Sequence, residues 1–352
     1  MKARFPLLRW ANILLIIGTF LAYLAPYVHP AQFWQFTFVG LTYPWLLLAN
    51  VLFILFWLAL RNRYFLFSLG CILLGWQHFI SLVGFHFGSV ADTKQTISMV
   101  TFNACNFKHF RHNRAAADAV ELSNIFNHKK VDLVCFQEFS GYPRSMDSYL
   151  DFLKNTENLK NIAWKKGNDL AILTSYPILK TGEKYFNRTN GYQFADLNVN
   201  GTTVRVFNVH LQSNDVSSIA ERMVEDENLG EKEALRNVRT MAGRFKRAVQ
   251  KRARQAEEIA AAIAKSPYPV LVGGDFNDIP QSYSYHTLAK GLQDTFKKKG
   301  SGIGITYVGN IPGLRIDYIL ASDDFQVLDY EKRRTSFSDH RPMASVLALP
   351  LK

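Results

Sequence analysis

A chain of 352 residues, 48% hydrophobic and 20% charged, is neither disordered nor fibrous and exceeds what a single hydrophobic core usually organises. Its formal net charge of +12 is unevenly spread, because residues 1–90 contain no Asp or Glu and only five basic residues: Lys2, Arg4, Arg9, Arg61 and Arg63. Residues 91–352 therefore hold 36 basic and 29 acidic residues, a net charge of +7. The near-zero mean hydropathy of -0.05 averages an apolar block with a basic soluble domain. Three cysteines, Cys71, Cys105 and Cys135, are too few and too scattered for a disulfide framework or a zinc cluster.

The first block holds three apolar stretches, 11–28, 38–60 and 64–87, of 18, 23 and 24 residues. A bilayer core needs about 20 residues of helix, so residues 1–90 read as a membrane anchor of three transmembrane helices. Lys2, Arg4 and Arg9 ahead of the first stretch also suit a cleaved signal sequence, which would leave two spans. Cations mark the cytoplasmic side: Lys2, Arg4 and Arg9 at the N-terminus, Arg61 and Arg63 at the second turn, while 29–37 carries no charged residue. The expectation is a multi-pass integral membrane protein whose domain 91–352 is periplasmic or extracellular. Gln77 and His78, within the third stretch, are expected to pair with each other or with a neighbouring helix.

Beyond residue 97, short β-like runs alternate with helical ones. Strands are predicted at 98–103, 131–137, 170–174, 270–274, 316–321 and 344–348. Runs 194–199 and 202–211 flank Asn200-Gly201, a dipeptide suited to a type I′ hairpin turn. Helices are predicted at 114–127, 231–265 and 282–290. Hairpins mixed with strand–helix units imply an α/β fold with mixed sheets. Residues 221–233 are acid-rich, whereas 234–256 carry eight basic residues and no acid. Such a run is either a solvated helix face or a strip for lipid headgroups or a polyanion.

Polar residues collect at the strand ends. Asn103 ends the first predicted strand, Gln137-Glu138 the second, Asn208 and His210 lie late in the hairpin, and Asp275 and Asn277 follow a Gly-Gly pair. Asp317 opens another strand, and Ser338-Asp339-His340 precedes the last. One acid after a strand is an ordinary turn former or helix cap, but six such groups suggest a shared cleft. The residue types suit phosphoester hydrolysis. Glu138, with Asp339 and an amide, can hold Mg²⁺, and a histidine oriented by a carboxylate, as in the pair Asp317–His340, can take a proton from water. The two glycines before Asp275 either let the backbone approach the substrate or make a turn.

In order along the chain, Thr101-Phe102-Asn103, Phe136-Gln137-Glu138, Asn208-Val209-His210-Leu211, Gly274-Asp275-Phe276-Asn277, Arg315-Ile316-Asp317-Tyr318-Ile319-Leu320 and Ser338-Asp339-His340-Arg341-Pro342 resemble the motifs of the endonuclease/exonuclease/phosphatase superfamily. The resemblance runs from about residue 98 to 348 and makes 91–352 the catalytic domain. It implies a four-layer sandwich of two mixed β-sheets flanked by helices. It also implies Mg²⁺, with Mn²⁺ or Ca²⁺ as alternatives, on Glu138 with Asn103 and Asp339. His340 would be the general base, oriented by Asp317, with Asp275 and Asn277 positioning water and phosphate. His210 would stabilise the pentacovalent state or protonate the leaving oxygen, and Pro177 is structural. The superfamily cleaves nucleic acids, sphingomyelin-type lipids and inositol phosphates. The partners expected are therefore the lipid bilayer and an anionic phosphoester, a lipid headgroup ahead of nucleic acid, with no protein partner inferred. Alternatives are an anchored nuclease for external DNA or RNA and a catalytically inactive membrane scaffold. A two-metal metallophosphoesterase is disfavoured, since the chain lacks the Asp-x-His unit of such sites.

Overall fold

The computed structural model describes residues 5–86, 96–107, 125–126, 130–139, 150–151, 153–155, 158–214, 231–309, 313–335 and 338–349. Most of the predicted helix 114–127 and the acid-rich run 221–233 lie outside the described residues. The chain divides into a helical unit, Met1–Val83 with Asn214–Ala253 and Asp278–Thr287, and a sandwich unit, Gly84–Ser213 with Arg254–Asn277 and Leu288–Lys352.

In the sandwich unit, one sheet contains β2 (Thr96–Asn103), β3 (Leu133–Gln137), β4 (Asn161–Ala163), β5 (Ala171–Thr174), β13 (Gln326–Lys332) and β14 (Met343–Ala348), in the order β13-β14-β2-β3-β5-β4. The other contains β6 (Ile178–Tyr185), β7 (Gly191–Val199), β8 (Thr202–His210), β9 (Val270–Asp275), β10 (Gln293–Asp294) and β12 (Asp317–Ala321), in the order β10-β12-β9-β8-β7-β6. Short strands β1 (Val83–Phe85) and β11 (Ser301–Ile303) form a separate ribbon. Each large sheet has one parallel pair, β2 with β3 and β8 with β9, among antiparallel neighbours. The mixed-sheet expectation therefore holds. A parallel pair needs a crossover, and α7 (Glu231–Ala264) lies within the connection from β8 to β9.

The first sheet is buried on both faces, which explains why β2 and β3 lack polar alternation. Met99, Leu133 and Cys135 face Val206, Leu271 and Ile319 of the second sheet. Their neighbours Val100, Val134 and Phe136 pack outward with Phe126 and Leu153. At the β7–β8 turn, Asn200 and Gly201 have φ of 51° and 92°, as a type I′ turn requires. Edge strand β6 was not foreseen, because Leu179, Lys180, Thr181 and Lys184 are exposed and dilute the apolar signal.

The helical unit contains α1 (Pro6–Leu24), α2 (Pro30–Phe33), α3 (Gln35–Leu41), α4 (Tyr43–Ala59), α5 (Phe65–Leu74) and α6 (Trp76–Phe79). It also holds α7 as far as Ala253 and most of α8 (Tyr283–Leu288). One stretch, Pro6–Tyr27, is by itself long and apolar enough to cross a membrane, and only 22% of its window is buried. Helices α3 and α4 pass the same test only as a pair bent by 51°. The third predicted span is not one continuous helix. It breaks at Gly75, where a Cβ would lie 2.0 Å from the Tyr23 ring, so Tyr23 wedges into the turn.

The interior of this unit combines an apolar cluster, including Ala22, Tyr43, Leu47, Cys71 and Ile72, with polar seams. Trp57 Nε1 donates to Asn12 Oδ1 (3.0 Å), Asn12 Nδ2 to Ser68 Oγ (2.7 Å), and Asn50 Nδ2 to Thr19 Oγ1 (2.9 Å). His78 stacks on Tyr23 with ring centroids 4.6 Å apart, a neighbouring-helix contact of the expected kind. Large apolar side chains such as Leu7, Trp10, Leu14, Leu55 and Leu74 point outward. Polar seams inside and apolar surface outside invert the usual pattern of a water-soluble bundle.

Candidate active site

Two rows of residues, one from each sheet, bring the polar groups together. In the second sheet His210, Asp275 and Asp317 stand side by side, His210 paired with Asp275 across β8–β9 and Asp275 with Asp317 across β9–β12. In the first sheet Asn103 pairs with Gln137 at the ends of β2 and β3. The sheets are bolted together one row below. Gln137 Nε2 donates to Asn208 Oδ1 (2.7 Å), and Asn208 Nδ2 donates to the carbonyls of Phe136 (2.8 Å) and Ala171 (3.0 Å).

The glycine pair serves this junction. A Cβ at Gly273 would lie 2.5 Å from Met99 Cε, and one at Gly274 would lie 2.0 Å from the Val209 carbonyl oxygen. Both residues sit inside β9 and let it pack against β8 and the facing sheet. This corrects the expectation that they form a turn or admit substrate.

All eight residues singled out from the sequence lie in one connected cluster. His340 Nδ1 is 2.9 and 3.0 Å from the two Asp317 oxygens. Its Nε2 faces Asp275 Oδ2 at 3.8 Å and Asp339 Oδ1 at 4.0 Å. His210 Nε2 is 3.9 Å from the same Asp275 Oδ2, while its Nδ1 is buried without a hydrogen-bond partner. Asn103 Nδ2 bridges Asp275 Oδ2 (3.0 Å) and Glu138 Oε1 (3.2 Å). The Asn277 amide donates to Asp275 Oδ1 (2.8 Å), and its side chain donates to the Leu211 carbonyl (2.9 Å). Glu138 and Asn277 both have φ of 50°, a left-handed backbone that is uncommon outside glycine and tends to gather at functional sites.

Several supporting residues carried no sequence signal. Asn106 Nδ2 holds Glu138 Oε2 at 2.8 Å, and Thr306 Oγ1 accepts from the amides of Ile316 and Asp317. Tyr307 packs edge-on against His340 at 5.2 Å. Ser338, which the Ser338-Asp339-His340 group does mark in the sequence, donates through Oγ to the Asn103 carbonyl and accepts from the His340 amide, tying the loop before β14 to the end of β2.

Asp275, Asp317 and His340 are buried, and Glu138 and Asp339 are half-buried. Burial raises the Asp275 pKa to about 6, a shift that His340 partly offsets and Asp317 reinforces. Burial disfavours the His340 imidazolium, yet the Asp317 and Asp275 carboxylates outweigh it and lift the pKa to about 10. Among the described residues, Asp275, Asp317 and Asp339 pair with imidazoles, Glu138 accepts from the Asn103 and Asn106 amides, and none of the four pairs with Lys or Arg. Four carboxylates and two imidazoles leave uncompensated negative charge. A donor set dominated by carboxylate oxygens suits a hard divalent cation.

Atoms of Asp275, Asp317 and His340 lie within 4.8 Å of one another, close enough to share such an ion. However, both Asp317 oxygens already face the imidazole. The carboxylates less committed to His340 are Glu138, Asp339 and Asp275, so the donors fit a cation on the Glu138 side of the cluster.

A family model described as the Endonuclease/Exonuclease/phosphatase family matches residues 100–340, and a second, for a domain of unknown function, matches residues 5–82. No curated protein matches. Among solved structures, D. rerio TDP2 complexed with single strand DNA product is 15% identical with a TM-score of 0.50, covering 72% of this chain and 98% of that chain. A Staphylococcus aureus beta toxin variant with bound magnesium ions is 17% identical with a TM-score of 0.46, covering 71% and 99%. A Leptotrichia buccalis endonuclease/exonuclease/phosphatase family protein is 16% identical with a TM-score of 0.47, covering 71% and 98%.

Proposed function

The chain belongs to the endonuclease/exonuclease/phosphatase family of metal-dependent phosphoester hydrolases, and from that premise we propose a Mg²⁺-dependent phosphodiesterase. It is held in a membrane with its site outside the cytoplasm and acts on the phosphodiester of a lipid headgroup. The observation that carries the reading is the convergence of Asn103, Glu138, His210, Asp275, Asp317 and His340 in one contiguous cluster.

Glu138, Asn103 and Asp339 would hold the cation, with Asp275 beside them. When bound, the cation polarises a phosphoryl oxygen and offsets the charge that develops on it. Asp317 fixes the His340 ring through Nδ1, so that Nε2 is the atom left to take the proton of an attacking water. At neutral pH the neighbouring carboxylates favour a proton on His340, and a bound cation would offset their charge and so favour the basic form of the ring. Asp275, itself oriented by Asn277 and Asn103, positions the water. His210, across Asp275 from His340, faces the phosphoryl group and stabilises its expanded state or protonates the leaving oxygen.

Membrane attachment is supported by the apolar exterior and polar seam of α1, α4 and α5. In a three-pass anchor, with α5 and α6 together as the third pass, Lys2, Arg4, Arg9, Arg61 and Arg63 would all lie on the cytoplasmic side. That arrangement favours a substrate in the bilayer surface over nucleic acid.

The test is a panel of purified chain with Mg²⁺, Mn²⁺ or Ca²⁺ against vesicles of a phosphodiester lipid, a phosphoinositide, plasmid DNA and a chromogenic diester. Preferred cleavage of the lipid supports the reading, whereas faster cleavage of DNA makes the chain an anchored nuclease. Protection of residues 91–352 from external protease on intact cells overturns the outward orientation.

A further inference from the structure

We infer that the N-terminal half of α7 is an in-plane amphipathic helix that attaches to an anionic lipid surface, a contact separate from catalysis. The inference rests on the reading that the helical unit is embedded in a bilayer.

Between residues 234 and 256 the helix has eight basic residues and no acid. Arg236, Arg239, Arg244, Lys246, Arg247 and Lys251 are all exposed. At 3.6 residues per turn these six fall within an arc of about 160° along roughly 22 Å of helix. The opposite face is apolar and changes character along its length. Towards the C-terminal end it is covered by the protein: Phe245, Ala248 and Val249 are buried. Phe245 lies 6.2 Å from the Trp34 ring and 5.9 Å from the Phe38 ring, and Gln250 Nε2 donates to the Pro30 carbonyl. Towards the N-terminal end the same face is uncovered, with Leu235 53% and Val238 52% exposed.

These contacts place α7 beside residues 30–38, in the turn between α1 and α4. That is the end of the helical unit opposite Arg9, Arg61 and Arg63. Phe33 and Phe38 are exposed at this turn, as aromatic residues are at a membrane interface. A helix at that level, with an unsheltered apolar edge flanked by cations, has the composition of an interfacial helix: apolar edge in the acyl boundary, cations among phosphates. Water alone would leave Leu235 and Val238 exposed and, among the described residues, six like charges without an ion-pair partner.

The experiment places a polarity-sensitive fluorophore at position 238 through Val238→Cys in the full chain, with unsubstituted chain as the labelling blank. Emission is compared in nanodiscs of zwitterionic phospholipid and of phospholipid containing phosphatidylglycerol. The expected result is a blue shift and brightening in the anionic discs, reversed by high salt. Combining Arg239→Gln, Lys246→Gln and Arg247→Gln should weaken attachment about a hundredfold and reduce emission to its zwitterionic value. Turnover of a small soluble diester by this variant should be unchanged. Equal emission in both discs overturns the inference while leaving the bilayer reading intact. Release of the chain from membranes by alkaline carbonate overturns both, and stronger protection of position 238 by a DNA duplex than by anionic discs assigns the strip to nucleic acid instead.

Discussion

Asp317→Asn is the most informative substitution, because it changes charge while keeping shape. Both Asp317 oxygens lie about 3 Å from His340 Nδ1, and charge centres about 4 Å apart interact by about 4 kcal/mol at an effective dielectric near 20. Losing that stabilisation of the imidazolium formed during turnover slows the chemical step about 10³-fold, within the range of general acid–base catalysis. The backbone bonds from Ile316 and Asp317 to Thr306 do not involve the carboxylate, so the fold should persist. Because Asp317 is a carboxylate that lifts the His340 pKa to about 10, its loss removes a buried ion pair and should lower the melting temperature at neutral pH without unfolding the chain. The assay is steady-state hydrolysis of a chromogenic diester with saturating Mg²⁺, together with a thermal melt. The account expects kcat to fall and KM to change little, and expects the double variant with His340→Ala to be scarcely slower than His340→Ala alone. A loss in kcat below about tenfold, or losses that multiply in the double variant, would refute the dyad.

Other expectations concern the metal and the sheet junction. Glu138→Ala should raise the Mg²⁺ concentration for half-maximal activity at least about tenfold, and an unchanged titration removes Glu138 from the ligand set. Chelation should abolish turnover and added Mg²⁺ restore it. Gly273→Ala drives a methyl toward Met99, Thr101 and Cys135 and should cost about 1–3 kcal/mol, seen as a lowered melting temperature; an unchanged melt would show that the sheets can part freely. Asn208→Ala removes the side-chain donor to the Phe136 and Ala171 carbonyls and one of the three acceptors of Gln137 Nε2, which keeps Thr101 Oγ1 and the Cys135 carbonyl. At about 1–3 kcal/mol for a buried unpaired polar group, it should unfold more readily in urea than Gly273→Ala, and equal midpoints would count against the junction.

The sequence made the strand termini legible because chemistry and geometry coincide there: β2, β3, β8, β9 and β12 carry a polar residue where an apolar run meets the cleft. Asn208 was visible as polar, but its role as a bolt between the sheets depends on the carbonyls of Phe136 and Ala171, which no local pattern reveals. Asn106, Thr306 and Tyr307 support Glu138, Asp317 and His340 from loops and short elements, where spacing has no period to read. The Gly273-Gly274 pair suggests substrate approach or a turn because these and close strand packing all favour glycine. The third apolar stretch broke at Gly75 because hydropathy counts residues and cannot register the Tyr23 ring that wedges against that glycine. Edge strand β6 escaped notice for the opposite reason, its polar face belonging to solvent.

The central claim is that one cation and one phosphoester share the pocket framed by Glu138 and His340. Anomalous diffraction from crystals of the full chain grown with Mn²⁺ tests it most directly. The account predicts a strong peak within coordination distance of Glu138, flanked by Asn103 and Asp339, with Asp317 still on His340 Nδ1. A peak held instead by Asp317 and His340, or none in this pocket at saturating Mn²⁺, would contradict it.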